Sequence, residues 1–144
     1  MRNLIIISLL LVSISSCCKK EEFFDKNVSS HGWALHEVKD VNDNIIIEKP
    51  DSLPQDIYFF FSNDFKVIGH LASFKIDNRS SYSITEEGSF VIDNLFFPRL
   101  IIKYDWDRYF IDNFSKINKY EYDSNQRLIL YFGVSNSKFI FISK

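Results

Sequence analysis

Cysteine, proline and glycine are all scarce in this chain of 144 residues, which holds two, three and four of them. Both cysteines sit together as Cys17-Cys18, so everything after them lacks a thiol for a disulfide, a thiolate metal centre or a cysteine nucleophile. The sparse glycines form neither a phosphate-cradling loop nor a Gly-x-Ser-x-Gly nucleophile elbow. Few prolines and glycines also exclude a low-complexity or fibrous chain. Neither sign of charge prevails, with 17 Lys and Arg against 19 Asp and Glu and a formal net charge of -2. Beyond Lys19-Lys20 there is no dense basic stretch of the kind that phosphate backbones need, which argues against a nucleic-acid partner.

Apolar and aromatic residues are plentiful, at 46% and 17% of the chain. Such a chain buries a core, and its length allows one ordinary domain. After a charged Arg2, the stretch 4–12 is apolar except for Ser8, and small residues follow at Ser13, Ser15 and Ser16. This is the pattern of a secretory signal peptide over residues 1–16, too short for a helix that must span with about 20 apolar residues. Ile14-Ser15-Ser16-Cys17 resembles the bacterial lipobox, in which small residues precede a cysteine that takes a diacylglycerol thioether. The resemblance implies cleavage before Cys17, lipidation of Cys17 and anchoring to the bacterial outer membrane, facing the periplasm or the cell surface. Firm anchoring takes two or three acyl chains, since each buried methylene contributes about 0.8 kcal/mol and one chain binds only marginally. Residues 17–30 then read as a flexible tether. Its Lys19-Lys20-Glu21-Glu22 is similar to the surface-export signal of Bacteroidetes lipoproteins, or serves simply as a charged spacer.

In residues 31–144 the main signal is an alternation of apolar and polar residues. Strands are expected over 73–77, 81–85, 89–93 and 119–123, with Phe74, Ile76, Tyr82, Ile84, Phe90, Ile92, Tyr120 and Tyr122 inward. Uninterrupted apolar runs at 57–61, 128–132 and 139–142 read as strands covered on both faces. Turn residues separate them at 62–64, 77–78, 87–88, 124–125 and 133–137. One segment has helical spacing: Trp106, Tyr109, Phe110, Phe114 and Ile117 share a face over 105–117, with Asp105 expected as N-cap. The fold expected is mainly β (α+β), a strongly curved antiparallel sheet or small barrel of about eight strands with one helix packed on it. Trp33, Phe110 and Phe114 are expected in its core.

The order of elements resembles the META domain (HslJ-like) family. The residues that carry the likeness are Gly32-Trp33-Ala34-Leu35, Phe59-Phe60-Phe61-Ser62, Gly69, Tyr82, Tyr109-Phe110-Ile111-Asp112-Asn113-Phe114, Lys116-Ile117-Asn118-Lys119-Tyr120-Glu121-Tyr122, Leu128 and Leu130. Gly69-His70-Leu71 stands where the family usually has Gly-Cys-Asn, and a second family cysteine is missing around Pro98-Arg99-Leu100. The resemblance implies a non-enzymatic envelope protein that acts through binding or stress tolerance.

Candidate chemical groups are few. His31 and His36, five apart at a strand start, should project to opposite faces, and with His70 they offer no convergent metal set. Asp105, Asp107 and Asp112 lack the glycine and closing glutamate of a calcium loop and suit helix-end roles. Glu86-Glu87 precede Gly88 as a turn, unlike a glycosidase pair held across a cleft on different elements. No catalytic residue, metal ligand or cofactor site is assigned. Phe23-Phe24, Phe59-Phe60-Phe61 and Phe96-Phe97 are concentrated aromatics that fill the interior or form an exposed patch or pocket. Two other functions compete with the envelope-binding one: a lipocalin-like carrier of a small apolar ligand, and a surface-exposed inhibitor or binder of another protein. A lipocalin places its main helix after the barrel, whereas three strands are expected here after 105–117.

Overall fold

The structure is a computed structural model that describes residues 23–73, 75–76, 80–94 and 102–144. Cys17, Cys18, Phe74, Phe96, Phe97 and residues 98–100 lie outside these.

Two helices and ten strands follow in the order α1 (Lys26–Ser29), β1 (Gly32–Lys39), β2 (Ile45–Ile47), β3 (Tyr58–Phe61), β4 (Val67–His70), β5 (Lys75–Ile76), β6 (Ser81–Ile84), β7 (Phe90–Asp93), α2 (Asp105–Phe114), β8 (Ile117–Tyr122), β9 (Arg127–Phe132) and β10 (Ser137–Ser143). An antiparallel sheet runs β5-β4-β3-β1-β10-β9-β8, with β2 paired to β1, and the β6–β7 hairpin forms a second sheet. Bridges at Lys66↔Ser81 and Ser89↔Lys119 fasten this hairpin to both flanks of the curled sheet. The result is a half-barrel whose open side the hairpin covers, the mainly β, strongly curved architecture expected from the alternation of residues.

The interior is a continuous stack of rings. Phe59 lies 5.3 Å from Phe110, 5.0 Å from Phe114 and 6.4 Å from Phe141, while Phe139 lies 4.9 Å from Phe110 and 4.3 Å from Phe132. At the other flank Phe61 meets Tyr82 and Phe90 at 5.2 and 5.4 Å. Trp33, Phe110 and Phe114 are buried, as expected. Gly69 is needed because β4 presses on β3: a Cβ there would stand 2.1 Å from the Tyr58 carbonyl oxygen.

Three local expectations are corrected. The helix α2 stops at Phe114, and Ile117 opens β8 instead. Asp105 is the first helical residue, not the N-cap; Tyr104 holds that place without a side-chain hydrogen bond, and the Asp105 side chain is 95% exposed. Part of the stretch 17–30 expected to be flexible is instead ordered, with α1 packed on the domain. Asp25 Oδ1 caps α1 through Asn27 N–H, Val28 is fully buried, and Trp33 Nε1 donates to the Val28 carbonyl at 2.7 Å. Burial of Val28 together with that hydrogen bond overrides the polar composition of the segment.

Four hairpin turns share one design, which shows how a glycine-poor chain turns tightly. In each, a first residue (Asp40, Ser62, Thr85 or Asp123) accepts from the N–H three residues on through its carbonyl, and from the N–H four residues on through its side-chain oxygen. The fourth residue adopts positive φ: Asp43 (67°), Phe65 (60°), Gly88 (87°) and Gln126 (60°). This is a three-residue loop with a left-handed last position, usually glycine. Gln126 is exposed, and its left-handed backbone costs about 1–2 kcal/mol that glycine escapes, less the roughly 0.5–1 kcal/mol of extra chain entropy. Gln126→Gly should therefore raise the melting temperature by about 2–5 °C; a drop in a calorimetric scan would show that the Gln126 side chain contributes more than its backbone strain.

Candidate functional site

Rings occupy the interior, and the clefts described here lie on the outer surface. The largest, about 790 Å³, runs between the β3–β4 turn and the β6–β7 hairpin. Its floor is Tyr82, whose ring is 5.7 Å from Phe65 and whose hydroxyl donates to the Ser62 carbonyl at 3.0 Å. Burial, reinforced by the nearby Asp64 and Asp25 charges, pushes the Tyr82 phenol up to about 12, so it stays neutral at any physiological pH. Phe23 and Phe65 form apolar walls; Asp64, Glu86 and Asp93 make an acid-rich rim that Lys66 offsets only in part. Phe65 is the unusual member. A bulky residue at φ 60° is disfavoured, and the Ser62 turn hydrogen bonds hold Phe65 there. Phe65 is half-buried, touching Tyr82 and Phe24 and leaving part of its ring in the cleft.

A second concave region surrounds Asp56. Its carboxylate takes hydrogen bonds from both Lys144 and Lys49, and these hold its pKa below the usual range, Lys144 first. Two open grooves meet there, one of about 530 Å³ toward His36 and β2, the other of about 460 Å³ toward Tyr58 and His70. The His70 ring stacks on Tyr58 at 5.5 Å, with its enclosed Nδ1 unpartnered among the described residues.

The sequence-named polar residues stay dispersed. His31 is exposed with its ring edge-on to Trp33 at 5.9 Å. His36 occupies a bulge in β1, where the register shifts between Leu35 and Glu37, so strict alternation no longer assigns its face. Among the described residues no three His, Cys, Asp or Glu side chains gather as metal ligands. Glu86 and Glu87 lie in the turn between β6 and β7, as their position before Gly88 indicates. Asp112 is exposed on α2. Asp107 does more than serve the helix dipole: it is fully buried and accepts from Ala72 N–H and Ser73 N–H, both at 2.9 Å, and from the Ser73 hydroxyl at 2.6 Å. It pins the chain leaving β4 to α2. Of the aromatic runs, Phe59 and Phe61 point inward, Phe60 points outward, Phe23 packs against the core and Phe24 against Phe65.

Sequence reasoning missed the Asp56 cluster and the Phe65 cleft. Asp56 and Lys144 are 88 residues apart, with no local pattern to join them. Phe65 followed a readable turn signal, Ser62-Asn63-Asp64, but its positive φ emerges only from the hydrogen bonds of the closed loop.

No family model and no curated protein matches the chain. Two solved structures are similar to it. A duf4847 family protein from Bacteroides vulgatus ATCC 8482 superposes with a TM-score of 0.62 at 14% identity, covering 81% of this chain and 94% of that one. A protein from Burkholderia xenovorans, solved by NMR, gives 0.59 at 13% identity, covering 81% and 83%. At such identities the likeness is one of fold alone.

Proposed function

We propose that this chain is a lipid-anchored protein of the bacterial outer membrane whose META-like domain acts without catalysis, by binding on its outer surface in support of the envelope under stress. The observation that carries this is the contrast between a ring-filled interior and a half-buried Phe65 presented in an outer cleft. A carrier keeps a cavity of about 300–1,000 Å³ for its ligand. Here Phe59, Phe110, Phe114, Phe139 and Phe141, all fully buried, fill the space that a lipocalin-like carrier would leave for cargo. Three strands after α2 also favour the META-like order over the lipocalin one.

The cleft between the β3–β4 turn and the β6–β7 hairpin is the binding surface in this account. Its acid-rich rim and aromatic floor favour a partner with a neutral or basic edge around an apolar centre. The non-enzymatic part rests on the lack of a nucleophile elbow, the absence of cysteine after Cys18, and the placement of Glu86 in a turn.

Anchoring is tested by growing cells with an alkyne fatty acid. The wild type should be labelled and fractionate with the outer membrane, whereas Cys17→Ser should be unlabelled. Equal labelling of the two would remove Cys17 as the lipid site and place the lipid elsewhere in the chain.

A further inference from the structure

We infer that the domain does not swing free on its lipid but rests on the phospholipid bilayer through the face built by Phe24, Phe60 and Ile68. The inference depends on acylation of Cys17. Between Cys17 and Phe23 lie five residues, 18–22, whose six steps reach about 20 Å when fully extended. A domain of about 120 residues has a radius of gyration near 14 Å, so the tether is shorter than the domain is wide. Whatever side the chain enters is held toward the membrane.

That side is known from the fold. Phe24 and α1 lie beside the β3–β4 turn, at the opposite end of the half-barrel from the β9–β10 turn that carries Val134. There, Phe24, Phe60, Lys26 and Asn63 line an open groove of about 550 Å³. Phe60 is the outward member of the Phe59-Phe60-Phe61 run, and its cross-strand partner Ile68 is 44% exposed on the same outer face. Phe24, Phe60 and Ile68 thus stand where the tether attaches, whereas exposed Val41, Ile45, Ile46 and Val134 lie at the far end, out of its reach. Among the described residues Lys26 is the one charged residue lining the groove, so insertion of apolar groups and not headgroup attraction drives the contact. The short tether supplies an effective concentration on the order of millimolar, which converts a weak surface affinity into a settled contact.

The test uses the full acylated protein in phosphatidylethanolamine–phosphatidylglycerol vesicles, with Cys18→Ser and a nitroxide on either Asn63→Cys or Val134→Cys. Accessibility to oxygen relative to a water-soluble nickel complex is read by power saturation, and acylation of Cys17 by mass in the same preparation. The ratio should be several-fold higher at position 63 than at 134 and unchanged by added salt, and Phe24→Ser with Phe60→Ser should collapse it while the melting curve stays cooperative. Equal ratios with Cys17 acylated would overturn the docked arrangement but leave the anchor intact. An unacylated Cys17 would overturn both. Protection at position 63 that depends on protein concentration, and not on lipid, would mean that a second copy covers the face, which also overturns it.

Discussion

Replacing Phe59 by alanine should cost about 3–5 kcal/mol of stability, the usual loss for a buried ring whose surroundings cannot collapse into the space. Phe59 sits where β3 meets α2 and β10, in ring contact with Phe61, Phe110, Phe114 and Phe141. Neighbouring rings are themselves fully buried and held by one another, so they have little freedom to fill the void. Against a total stability of about 5–15 kcal/mol for a domain, this is a large fraction. Urea denaturation should show a lower midpoint with an unchanged slope. An unaltered midpoint would mean that the interior is loosely filled, which would restore the carrier as a possible function.

Asp107→Ala should be nearly as damaging, by about 3 kcal/mol or more, for a different reason. The carboxylate gathers two backbone N–H groups and one hydroxyl in a buried place. Alanine removes the acceptor and leaves three donors without partners, and a donor stranded in the interior costs more than the bond itself contributed. Asp107→Asn should recover only part of the loss, since its amide sets N–H groups against N–H groups. Hydrogen exchange at Ala72 and Ser73 should speed up in both variants before global unfolding. Protection factors equal to wild type would show that the chain leaving β4 is held by other means.

Much of this fold was legible because its signals are local. Alternation placed β6, β7 and β8, and apolar runs placed β3, β9 and β10, since side chains that face a core repeat at the period of the strand. Helical spacing found α2 but carried it on to Ile117, because Ile117 is buried in β8 just as a further helical turn would have buried it. The three consecutive isoleucines of β2 gave no alternation, and the register shift beside them shows why: a bulge breaks the period. Val28 and Trp33 joined α1 to the domain through a contact that no pattern of polar residues announces. The candidate site was less legible still. Asp107 reaches across 35 residues to Ala72, and Phe65 works from a backbone angle that its residue type disfavours.

Growth of a deletion strain under envelope stress, restored by the wild-type chain, is the most direct measurement of how the protein works. Phe65→Ala, checked by its melting curve to be folded and by fractionation to be anchored, should fail to restore growth, because truncating a central aromatic at a binding surface costs about 2 kcal/mol or more, roughly a 30-fold loss of affinity. Asp112→Asn and His70→Ala, both outside the cleft, should restore it fully. Failure of a folded, anchored Asp112→Asn or His70→Ala, with Phe65→Ala fully active, would contradict binding at the outer cleft and point to catalysis by a polar group instead.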